Sequence, residues 1–138
     1  MAPQPVNRDF TADADGLAEL DDWIERATAD WPSGEPVLKA RVCAAELAAN
    51  LMEHGSGPAG PARLSVRLAA EGPDVRLELT DNGRPFDPTE WHASAVRETL
   101  QTATIGGRGL RTVHGLSREL HYSRREGRNH LSLLVAGG

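Results

Sequence analysis

Hydrophobic positions along the 138 residues recur with two different periods, and the change of period divides the chain into helices and strands. Leu17, Leu20, Ile24 and Ala27 follow at i, i+3, i+7 and i+10, one face of a helix that Asp13 or Asp15 can cap and that runs to about Asp30. "WPSGEP" breaks it, and a second helix begins near Pro36 and continues to His54, where Gly55, Gly57 and Pro58 stop it. On this helix Leu38, Val42, Ala45, Ala49 and Met52 form a stripe expected to face a sheet. The period then shortens to two. Leu64, Val66 and Leu68 alternate with Ser65 and Arg67, while Val75, Leu77 and Leu79 alternate with Arg76, Glu78 and Thr80, so residues 63–70 and 75–80 read as a hairpin joined by "EGPD". Residues 119–125 and 130–135 read as another hairpin around "REGRN", with Leu131, Leu133 and Val135 on one face. Residues 6–11 fit a short edge strand. Residues 89–105 are helix-capable but weakly amphipathic, which suits a lid, and Leu110, Val113 and Leu116 mark a helix opened by "GGRGL".

Composition narrows this to one domain over residues 1–138, with the Pro-rich residues 1–5 expected to be disordered. A chain of this size buries roughly two thirds of its unfolded surface. Since aromatics are only 4%, the core must be packed by Leu, Val and Ala. Trp23, Trp31 and Trp91 read as packing residues. A net charge of −5 argues against nucleic acid or an anionic membrane surface as partner. No apolar run approaches membrane-spanning length and no leader-like segment opens the chain, so the expected location is the cytoplasm. Cys43 stands alone inside an apolar helix, which fits a small buried side chain in a reducing compartment.

Three stretches carry candidate chemistry. Glu46, Asn50 and His54 lie at i, i+4 and i+8 on a single stripe of the second helix. Asn50 could offer a hard oxygen to Mg²⁺ and Glu46 could take a proton from a hydroxyl or water, although such a pair is ordinarily a hydrogen-bonded helix face. In "LTDNGRPFDP" the prolines forbid a returning strand, so the Asn-Gly step is not a simple hairpin turn. By parity Asp81 shares the buried face of Val75, Leu77 and Leu79. A buried carboxylate needs donors, and the exocyclic amine of a purine would be one, with Gly83 letting a flat ring approach the backbone. Lastly, Gly106, Gly107 and Gly109 open a helix, where free N–H groups can cradle phosphate. This turn lacks the Lys-Ser/Thr of a P-loop, and a flexible loop is its ordinary alternative.

In this order and spacing, "ELAANLMEHG", "DNGRPFDP" and "GGRGL" resemble the three nucleotide-binding boxes of the GHKL ATPase superfamily, and most of all its anti-sigma-factor serine/threonine kinases. The resemblance implies an α/β two-layer sandwich: a mixed, mainly antiparallel sheet with helices on one face, holding ATP and Mg²⁺ under a lid. It implies Glu46 as general base, Asn50 as Mg²⁺ ligand, Asp81 and Gly83 at the adenine, and Gly107 and Gly109 at the phosphates. Arg108 falls where a basic side chain could reach a β- or γ-phosphate, a surface Arg being the ordinary alternative. The partners implied are an anti-sigma-factor antagonist as substrate and a sigma factor as competitor, with a homodimer as the family's common assembly and without direct contact to nucleic acid. The alternative is a non-catalytic module whose grip on a partner is set by nucleotide. The catalytic half of a histidine kinase shares the boxes but would require a dimerising helix with a phosphoacceptor His ahead of them.

Overall fold

A computed structural model describes residues 3–32, 34–90 and 105–137, with only the backbone considered at residue 90 and at 105–108. Residues 1 and 2 of the expected frayed terminus, Trp91, and nearly all of the expected lid lie outside the described residues. Five strands form one sheet in the order β1-β2-β3-β5-β4: β1 (Val6–Thr11), β2 (Arg63–Glu71), β3 (Asp74–Asp81), β4 (Arg118–Arg125) and β5 (Arg128–Val135). All four pairings are antiparallel. Three α-helices, α1 (Ala14–Ala27), α2 (Gly34–His54) and α3 (Ile105–Leu116), and a 3-10 turn at Pro88–Glu90 complete the described elements, and this is the expected two-layer α/β sandwich.

The alternation read from sequence decides which side of the sheet is covered. Phe10, Leu64, Val66, Leu68, Val75, Leu77, Leu79, Leu131, Leu133 and Val135 are buried in a single core against the helices. The other face carries Ser65, Arg67, Glu78, Thr80 and Ser132, with Arg67 Nη1 bonded to Glu78 Oε1 at 3.1 Å across the β2–β3 pair. Asp13 is the cap of α1, its Oδ1 accepting from Gly16 N at 2.7 Å. Leu20 and Ile24 bring that helix onto the core. Trp31 is buried, and Trp23 packs at the core margin with its ring centroid 5.5 Å from that of Phe10, so these two do serve packing.

One expectation is overturned. The stripe of Leu38, Val42, Ala45, Ala49 and Met52 does not face the sheet: Leu38 is 56% exposed, Val42 38% and Met52 37%. The buried side of α2 is Val37, Ala40, Cys43, Ala44, Leu47 and Ala48. This helix is apolar around most of its circumference, so periodicity offers two candidate stripes and does not rank them. Packing ranks them. Ala40, Ala44 and Ala48, one turn apart and fully buried, let the backbone approach its neighbours where a leucine stripe would hold it off. A smaller difference lies in the last hairpin. Glu126 and Gly127 both have positive φ, 54° and 74°, and so close a two-residue turn that matches the twist of the strands. Arg128 and Asn129 are therefore paired in β5 rather than looped out.

Candidate functional site

The C-terminal half of α2, the end of β3 and the β4–β5 hairpin border a cleft with about 490 Å³ of empty space, part of it open solvent. Leu47, Leu51, Leu64, Leu79 and Leu131 give it an apolar floor, and Asn50, Asp81 and Asn129 are its polar groups, with His54, Phe86 and Tyr122 along its sides. The His54 and Phe86 rings lie nearly parallel, 16° apart with centroids at 6.0 Å.

Asp81 ends β3 on the inward face, as parity predicts. Its Oδ1 accepts from Gly83 N at 2.8 Å and from Asn129 Nδ2 at 2.9 Å. The other carboxylate oxygen takes no donor among the described residues. Gly83 sits hard against the helix end: a Cβ there would stand 2.8 Å from Leu51 Cδ1 and 3.2 Å from Gly55 O. The turn after β3 thus lies on the C-terminus of α2 with no room for a side chain, and Arg84 N bonds Gly55 O at 3.4 Å.

On α2, Asn50 is 5% exposed, and its Nδ2 has no hydrogen-bond partner among the described residues. A buried amide with an unused polar atom on a cleft wall is costly unless something beyond the protein engages it. A half-turn of an amide exchanges its oxygen and nitrogen with little change of shape, so this position can meet either a phosphate oxygen or a cation. It therefore fits an Mg²⁺-nucleotide. No group of three or more His, Cys, Asp or Glu able to hold a metal occurs among the described residues.

Glu46, one turn earlier, does not line the cleft; it lies against the start of α3. A Cβ on Gly109 would fall 2.4 Å from Glu46 Oε2, so the carboxylate occupies the space that a side chain would need. Gly107 and Arg108 stand in the first turn of α3, and the Arg108 side chain lies outside the described residues. Cys43, buried beneath Glu46, has its thiol pushed up to about 11, first by burial and then by the Glu46 charge, so it is inert rather than nucleophilic. The sequence reading placed Glu46, Asn50, Asp81 and Gly83 but passed over Asn129, Tyr122 and Arg124. The signal for Asn129 was its parity with Leu131, which puts it on the inward face.

A model of the histidine kinase-like ATPase domain matches residues 10–135. The chain belongs to that family. Membership bears out the resemblance drawn from the three boxes. The chain is 34% identical over 112 residues to serine/threonine-protein kinase BtrW of Bordetella bronchiseptica, which covers 80% of this chain and 79% of that protein. Among solved structures it is similar to the RsbU and RsbW domains of Rv1364c from Mycobacterium tuberculosis, with a TM-score of 0.65 at 15% identity. That alignment covers 98% of this chain and 33% of the other, so the chain spans about a third of the solved protein, and the likeness is one of fold. No described helix is long and apolar enough to cross a membrane.

Proposed function

We propose that this ATPase-family domain binds ATP with Mg²⁺ in the cleft and transfers the terminal phosphate to a serine or threonine hydroxyl of a small protein. The acceptor would be an anti-sigma-factor antagonist, and a sigma factor would be the competing partner. The observation that carries the reading is the pairing of two incompletely used polar groups in one apolar cleft: the second oxygen of Asp81 and the amide of Asn50. The first suits the exocyclic amine of adenine and the second suits the charged end of the nucleotide, and a 34%-identical relative carries the name of a serine/threonine kinase.

In this reading Asp81 and Gly83 orient the base while Leu47, Leu64, Leu79 and Leu131 exclude water from it. Asn50 would hold the cation, which when bound would neutralise phosphate charge. Free backbone N–H groups in the first turn of α3, that of Gly107 among them, would face the phosphates, with Arg108 adding charge, while Gly109, already inside the helix, contributes its missing side chain beside Glu46. Glu46, one turn from Asn50 and backed by Gly109, orients the incoming hydroxyl and accepts its proton. The retained carboxylate favours catalysis over a purely nucleotide-gated binding module.

Calorimetric titration with ADP and ATP, with and without Mg²⁺, tests this reading. Asp81→Asn keeps an acceptor for Gly83 but turns a donor toward the adenine amine, and ADP affinity should fall by about 100-fold. Equal affinity in wild type and variant would remove Asp81 from the site, and a folded wild type that binds neither nucleotide would sink the proposal.

A further inference from the structure

The three strands beside the cleft place one row of side chains directly across from one another: Asp81 on β3, Asn129 on β5 and Arg124 on β4. Asn129 is 4% exposed, and every hydrogen-bonding valence of its amide is used. Nδ2 donates to Asp81 Oδ1 at 2.9 Å and to Arg84 O at 2.8 Å. Oδ1 accepts from Tyr122 OH at 2.5 Å and from Arg124 Nη1 at 3.0 Å. Arg124 Nη1 also donates to Gly83 O at 2.8 Å. The two donors on Oδ1 leave the Asn129 amide one orientation only, because a half-turn would bring NH₂ against Tyr122 and Arg124 and oxygen against Asp81 and Arg84 O.

The geometry points to Asn129 as the positioning residue for purine recognition, with Tyr122 and Arg124 fixing its amide. The inference rests on the nucleotide reading above and assigns what sets its selectivity. Asn129 Nδ2 and Gly83 N together engage Asp81 Oδ1, so the carboxylate cannot swivel and its other oxygen is kept for a ligand. A held carboxylate oxygen accepts from a ring amine, whereas a purine with hydrogen at that carbon makes no such bond and one with a carbonyl there is repelled. Asn129 touches no base in this arrangement; it acts through Asp81. Arg124 has a second effect, since it ties the Gly83 carbonyl and the Asn129 amide to one guanidinium and so holds the turn after β3 in register with the hairpin.

The test is the ratio of affinities for ADP and for purine riboside 5′-diphosphate, which lacks the exocyclic amine, measured calorimetrically on the full chain. Wild type should prefer ADP by about 10- to 100-fold, the worth of one hydrogen bond to a charged group. Asn129→Asp keeps the contacts to Tyr122 and Arg124 but sets an oxygen against Asp81 Oδ1, and the preference should fall to about threefold or less while purine riboside diphosphate is bound nearly as before. Tyr122→Phe removes a single donor from the network and should lower the preference partway, which keeps the question answerable should the first variant fail to fold. If both affinities drop together with the ratio intact, Asn129 is a packing residue and the inference is wrong, with the nucleotide reading untouched. A wild type that prefers ADP, beside folded variants that prefer it equally, also overturns it. A wild type that binds neither ligand overturns the proposed function and this inference together.

Discussion

Gly109→Ala separates the stability of the fold from the placement of Glu46. The new Cβ would stand 2.4 Å from Glu46 Oε2, 3.3 Å from its Cδ and 3.5 Å from its Cβ. Carbon and oxygen in contact keep roughly 3.3 Å, so the oxygen must withdraw by about 1 Å. Only the tip of a flexible side chain is in the way, and its terminal torsion is soft, so the adjustment costs on the order of 1 kcal/mol. Alanine in a helix interior is favoured over glycine by about 1 kcal/mol, which offsets this. Unfolding free energy should therefore stay within about 1 kcal/mol of wild type. A general base displaced by about 1 Å loses on the order of 100-fold in rate. Phosphate transfer to a cognate protein acceptor should drop by that factor in single turnover, with ADP affinity within about threefold of wild type. In a Glu46→Ala background the same substitution should have no further effect on rate, because the displaced group is gone. Transfer at the wild-type rate would refute the assignment of Glu46. A loss of stability above about 3 kcal/mol would show that the backbone of α3 gives way instead of the carboxylate.

Two other predictions concern the core. The Cys43 thiol titrates near 11 in the folded chain, against its ordinary value of about 9 when unfolded, so it is protonated in both states at neutral pH and contributes stability that is lost as pH rises between those values. Urea unfolding at pH 8 and pH 10.5 should show the stability gap between wild type and Cys43→Ala shrinking by about 2 kcal/mol; an unchanged gap would mean that the thiol is not the titrating group. Leu77 is fully buried in the middle of β3, between Leu68 and Leu133 on the flanking strands. Leu77→Ala should cost about 3–4 kcal/mol in urea unfolding without a change of slope, and a cost under about 1.5 kcal/mol would place the centre of the core elsewhere.

The sheet was legible because alternation in a half-buried strand is a binary pattern: Val66, Leu77 and Leu133 can face only one way if Arg67, Glu78 and Ser132 are to stay wet. Asp81 was legible for the same reason, its parity fixed by the three hydrophobic residues before it. The outward turn of Leu38 and Met52 was not, because an alanine-rich helix has no polar face to exclude the wrong stripe. Asn129 was hidden by its setting. Between Gly127 and His130 it looks like turn chemistry, and only the pairing Asp81↔Asn129 shows that it belongs to the wall of the cleft. The Glu46–Gly109 contact joins residues far apart in sequence, and nothing local to either one announces it.

The order β1-β2-β3-β5-β4 leaves β4 as a sheet edge close to the cleft. An open edge offers unpaired backbone groups on which another chain can polymerise. Here the strand carries Arg118, Glu119, Arg124 and Arg125, its register shifts between Arg118 and His121, and Glu119 adopts a φ of 50°. Charge and an irregular backbone together make this strand a poor template for a further β-strand. The cation that ties the recognition row together, Arg124, thus belongs to the charged rim that discourages aggregation, so solubility and recognition draw on the same few residues.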